Sequence, residues 1–127
     1  MKYELEKEEK YTILRFNEEN LNSTLAPKLK SEFIFLLNEG VNNLILDLSK
    51  VKYIDSSGLS SILTAHRLLK QGGSFVVTGL KNDHVRKIIQ ISRLDTILNI
   101  IPTIEESIEF VLMEEVEREL LGEAEEE

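Results

Sequence analysis

Apolar and polar positions first alternate along this chain and then change period. Tyr3 and Leu5, then Tyr11, Ile13, Leu14 and Phe16, alternate roughly with polar residues. That spacing predicts two short strands joined by a charged turn around Glu8–Lys10. From residue 24 to 39 the period becomes helical, with Leu25, Leu29, Phe33, Leu36 and Leu37 on one stripe. Ser23 or Thr24 is the expected N-cap, and Gly40 the stop. The "FIFLL" run at 33–37 is wider than one stripe. Either it is buried between helix and sheet, or one of Ile34 and Phe35 is exposed as a surface for a partner or for self-association.

"NNLILDLS" carries Leu44, Ile45, Leu46 and Leu48 without clean alternation, which suits a strand covered on both faces. After "KVKYIDSSG", Leu59, Ile62, Leu63, Leu68 and Leu69 mark a second helix that stops at "QGG". "SFVVTG" reads as another buried strand, residues 82–91 as a helix starting near Asn82 or Asp83, and "TILNII" as a last strand before Pro102. The final helix starts at Thr103, places Glu105 and Glu106 where the dipole favours them, and carries Ile104, Ile108, Val111 and Leu112 inward. The order is β-β-α-β-α-β-α-β-α. It predicts an α/β fold, a mixed sheet of about five strands with four helices packed against it. In such sheets functional loops gather at the carboxyl ends of strands, and "IDSSG" follows a strand and opens a helix.

The 127 residues allow one domain with one sound core, and no internal repeat is visible. There is no cysteine, which excludes disulfides and thiolate metal sites and fits a reducing cytosol. No apolar leader or long apolar run is present, so neither secretion nor membrane spanning is expected. Residues 114–127 hold eight glutamates and one arginine, seven of the eight net negative charges. The division expected is a nearly neutral domain over 1–113 and an acidic helix end or tail over 114–127. Without a basic patch, direct nucleic-acid binding is disfavoured.

The chemistry concentrates in "IDSSGLS", residues 54–60. A serine nucleophile needs a base in reach, and the chain has only His66 and His84. His66 lies too far along the helix from Ser57, and no G-x-S-x-G elbow exists. No lysine-bearing phosphate loop or G-x-G-x-x-G occurs, so a nucleotide could meet only the helix N-terminus. Asp47 and Asp55 fall short of a metal site. Asp55, Ser56 and Ser57 are all good N-caps, yet one cap needs only one of them. Gly58 is costly early in a helix and points to close approach of something to the backbone. A spare hydroxyl could instead accept a phosphate, whose charge a helix N-terminus tolerates.

"ILDLSKVKYIDSSGLSSIL", residues 45–63, resembles the signature of STAS domains, specifically the bacterial anti-sigma factor antagonists. The resemblance extends over about residues 3–112, through "QGGSFVVTGL" and "SRLDTILNIIPTIEESI". It implies that Ser56, directly after Asp55, is the phosphorylation site, with Ser57, Gly58 and Leu59 opening the helix. Ser57 is then expected to serve the cap, and Gly58 to leave room for a kinase. The implied partner-binding set is Asp55, Ser56, Ser57, Gly58, Leu59 and Ser60, with Asn22 and Ser23 from the loop before the first helix. Ser60 stands where a glycine is common, and Asn22 where an aspartate is.

The resemblance further implies a cytoplasmic protein without catalysis, cofactor or metal. Unphosphorylated, it would bind an anti-sigma factor that is also a GHKL-type serine kinase, and so free a sigma factor. Phosphorylation would release it, and a PP2C-type phosphatase would reset it, with the protein a monomer or weak dimer. The alternative is a phosphorylation-independent scaffold subunit of a stressosome-like or lipid-transport complex.

Overall fold

A computed structural model describes residues 1–126, and the side chains of residues 1–122. Strands β1 (Tyr3–Lys7) and β2 (Thr12–Phe16) form the expected antiparallel pair. The two-residue strand β3 (Asn20–Leu21) leads to helix α1 (Ala26–Asn38). Then come β4 (Asn43–Asp47), β5 (Tyr53–Ile54), α2 (Ser56–Leu69), β6 (Ser74–Thr78), α3 (Asp83–Ile91), β7 (Asn99–Ile101) and α4 (Ile104–Glu126). The main sheet runs β1-β2-β4-β6-β7, parallel from β2 onward, while β3 and β5 pair separately in parallel. The mixed five-stranded sheet with four helices is as the pattern indicated.

Strands β4 and β6 lack polar alternation because helices cover both of their faces. Leu14, Leu44, Leu46, Phe75 and Val77 join Leu29, Phe33 and Leu36 of α1, Ile62 and Ala65 of α2, and Val85 and Ile89 of α3. Phe33 meets Phe75 edge-on, with ring centroids 6.0 Å apart. On the other face Ile13, Ile45 and Val76 pack against α4 through Val111, with Ile104 and Ile108 beside them. Leu112 is only half-buried, and Ser107 takes an inward position, its hydroxyl bonded back to the Thr103 carbonyl.

Several boundaries differ from expectation. α1 begins at Ala26, and neither Ser23 nor Thr24 caps it. The Asn22 side chain instead accepts from the Thr24 and Leu25 N–H groups at 3.1 and 3.2 Å, starting the turn earlier. At the other end Gly40, at φ +95°, bonds to the Leu37 carbonyl and Val41 to that of Leu36, a glycine-stopped helix end. Both Ile34 and Phe35 are exposed, because the buried stripe of α1 runs through Ala26, Leu29, Phe33 and Leu36 and leaves these two positions facing away from the sheet. The last strand starts at Asn99, since residues 94–96 form a 3-10 turn that buries Leu94. No described helix is long and apolar enough to cross a membrane.

α4 runs without a break through residue 113, and the first acidic residues beyond it are tied to the sheet. Arg118 donates to Ser74 Oγ (2.9 Å), Asn43 Oδ1 (2.8 Å) and Glu115 Oε2 (2.8 Å). Asn43 donates to Glu115 Oε2 (3.0 Å), and Ser74 Oγ to Glu114 Oε1 (2.8 Å). Hydrogen bonds from Asn43 and then Arg118 hold the Glu115 carboxyl below its usual range, against the opposing effect of burial. A carboxyl with a depressed folded pKa adds stability above its unfolded value, and that stability is lost as pH falls through the folded one. Glu115→Gln is therefore expected to cost about 1 kcal/mol at neutral pH. The gap between variant and wild type should close in acid, as read by thermal melts across pH; a gap independent of pH would contradict this.

Candidate functional site

The small β3–β5 ladder builds the site. Pairing Asn20 with Tyr53 and Leu21 with Ile54 brings the loop before α1 against the start of α2, thirty-odd residues away in sequence. Asp55 then leaves the strand in extended geometry, with its N–H on the Leu21 carbonyl at 3.3 Å. Its carboxylate accepts from Gly58 N–H at 2.9 Å through Oδ1, and from Ser23 N–H at 3.1 Å through Oδ2. Asp55 is the cap of α2, in place of the expected Ser57. Two carboxylate oxygens reach N–H groups of two segments at once, which one hydroxyl oxygen does not match, and the negative charge suits the helix N-terminus.

Gly58 also has a different reason from the one expected. It is buried, and a Cβ there would run into the Leu21 carbonyl oxygen, lie 2.8 Å from Ile54 Cγ1 and 3.0 Å from Leu21 Cγ. The missing side chain makes room for β3 rather than for a kinase. Leu59 is half-buried against the main core. Asn22 spends its side-chain oxygen on the turn into α1.

What faces outward is a row of hydroxyls. Ser56 and Ser60 are exposed and, four residues apart, lie on one side of α2; Ser57 is partly exposed between them. They line a shallow groove of about 260 Å³ with Ser23 and Lys30 from the facing segment. Lys30 Nζ donates to Ser60 Oγ at 3.3 Å. Lys30 escaped the sequence analysis, because a lysine on an amphipathic helix reads as ordinary solvent-facing charge. Only the packing of α1 on α2 sets it over the serines. The expected residues thus divide: Ser23, Ser56, Ser57 and Ser60 share the groove, while Asp55 and Gly58 hold the two segments together, Asn22 turns the chain into α1 and Leu59 packs on the core.

The histidines stand elsewhere. His84 is exposed and meets the exposed Tyr53 ring edge-on at 6.5 Å. His66 lies ten positions along α2 from Ser56, roughly 15 Å at the helical rise. Burial, then Lys70 and Arg67, lowers its pKa. Among the described residues, no three His, Asp or Glu side chains cluster as metal ligands would. A larger open depression of about 570 Å³ is lined by Glu18, Glu19, Lys50, Lys52 and Lys81. Its charges are mixed, and Lys52 already pairs with Glu19 at 3.3 Å.

The STAS domain pattern matches residues 2–107, strands, junction and groove included. The chain belongs to the STAS family. A relative in Thermotoga neapolitana, named "Putative anti-sigma factor antagonist TM1081 homolog", is 36% identical over 75 residues. That stretch covers 59% of this chain and 66% of the relative's length. The crystal structure of the Thermotoga maritima protein tm1081, described in the same terms, superposes with a TM-score of 0.79 at 32% identity, covering 86% of this chain and 93% of that one. The STAS fold is also shared with SpoIIAA of Bacillus in its phosphorylated form, at a TM-score of 0.65 and 22% identity over 87% of this chain and 99% of that one.

Proposed function

We propose that this STAS protein is an anti-sigma factor antagonist whose partner affinity is switched by phosphorylation of Ser56. The relatives' names support the class, and one observation carries the switch. Asp55 has taken over the cap, so the Ser56 hydroxyl stands exposed in the first turn of α2 with no structural duty. Phosphate there adds about −1.5 to −2 charges. The helix N-terminus and Lys30 across the groove accommodate that charge, while Asp55 opposes it. The fold keeps its stability, and a partner surface complementary to neutral hydroxyls is repelled.

In this reading the unphosphorylated protein binds, in the cytoplasm, an anti-sigma factor that is also a GHKL-type serine kinase. That kinase transfers the γ-phosphoryl group of ATP to Ser56 Oγ, leaving ADP, and releases the antagonist. A PP2C-type phosphatase restores the hydroxyl. Incubation with the kinase and ATP is expected to place one phosphate on Ser56, located by mass spectrometry, and none on the Ser56→Ala variant. A protein left unmodified, or modified only elsewhere, would sink the switch. Stable co-purification with a larger complex, insensitive to ATP, would favour a scaffold role instead.

A further inference from the structure

α4 has two apolar faces, and the domain uses one. Ile104, Ser107, Ile108, Val111, Glu115 and Arg118 lie along the side that meets the sheet. On the opposite side Met113, Val116 and Leu120 recur at helical spacing and are 66%, 51% and 60% exposed, with Leu121 beside them at 64%. This outer stripe lies beyond residue 107, where the family's pattern ends. A solvated helix end has no need of three large apolar side chains in register. The exposed Glu117 and Glu119 flank the stripe, and the exposed Glu106 and Glu109 border it toward the helix start, on the same line. Arg118, the basic residue of this segment, faces inward and is engaged by Asn43, Ser74 and Glu115.

We infer that the outer face of α4 docks a basic amphipathic helix of a partner protein, its apolar face on Met113, Val116 and Leu120 and its lysines or arginines on the glutamate rim. The charge decides among occupants. A second copy would bring its own glutamates against these, and an anionic lipid surface would be repelled in the same way. The polar ties of Arg118 hold the first half of the stripe in helical form before any partner arrives, which lowers the ordering cost of docking. The surface is separate from the Ser56 groove and stands whether or not Ser56 is modified.

The test uses the full chain and a labelled synthetic amphipathic helix built of leucine and lysine, with a leucine–glutamate helix as its counterpart, followed by fluorescence anisotropy. The lysine helix is expected to bind, more weakly as salt is raised, and the glutamate helix not to bind. Replacing Met113, Val116 and Leu120 together by serine keeps every charge, and should weaken binding about tenfold or more with little change in the thermal melt. The milder Val116→Ser variant should show the same direction. Equal binding to the triple variant would mean charge attraction alone and would overturn the proposal, as would no binding of the lysine helix. Self-association of the wild type that the triple variant loses, seen by sedimentation, would assign the stripe to a second copy and overturn it as well.

Discussion

Ser56→Asp is expected to lower affinity for the proposed anti-sigma factor partner by about thirtyfold or more while leaving the domain folded. A carboxylate at this position places a charge where the proposed partner meets a hydroxyl. An unpaired charge forced into an interface costs about 2–5 kcal/mol, and each 1.4 kcal/mol is tenfold in affinity. In the free protein the same charge is well placed. It sits in the first turn of α2, where the dipole favours anions, across a groove that holds the Lys30 ammonium. The effect thus falls on binding and spares folding, a split that calorimetric titration and a thermal melt read separately. Ser56→Ala should bind like the wild type, because it removes a hydroxyl that the cap does not use. If Ser56→Asp binds the partner as tightly as the wild type, the groove does not read charge and the switch fails.

Gly58→Val is expected to destabilise the domain by about 3 kcal/mol, at the upper end of what overpacking costs. The atoms in the way are chiefly backbone. The Leu21 carbonyl oxygen occupies the space a Cβ would need, and that oxygen also accepts from Asp55 N–H. Relief would require parting β3 from β5. Parting them removes the Ser23 N–H from Asp55 Oδ2 and moves the loop before α1 away from the serines. A loss of stability by chemical denaturation should therefore come with loss of partner binding even in the folded fraction. A change below about 0.5 kcal/mol would show that β3 is not held against α2 as the structure has it.

The Ser56 and Gly58 substitutions separate what the site displays from what builds it. Ser56 is surface chemistry and Gly58 is geometry, yet they stand two residues apart in the same helical turn. Asp55 joins them, since its two oxygens hold α2 to the segment before α1.

The helices and the strands of the main sheet were legible in the chain's pattern alone. Their apolar periods are long enough to read, and a run such as Leu44–Leu46 without polar alternation announces a strand buried on both faces. The sequence also singled out "IDSSGLS" and, through the family resemblance, Ser56. It could not assign the cap, because Asp55, Ser56 and Ser57 have similar local preferences. The choice fell to Ser23 N–H, brought within reach of Asp55 by a ladder of two-residue strands too short to show any period. Gly58 was visible as an anomaly, but its cause is a carbonyl of Leu21, far away along the chain. Lys30 joined the groove, Ile34 and Phe35 both reached the surface, and α4 kept an apolar stripe facing away from the sheet. Local pattern fixes which residues share a face of an element. Which face is covered, and by what, depends on contacts between segments distant in the chain, and those only the folded arrangement supplies.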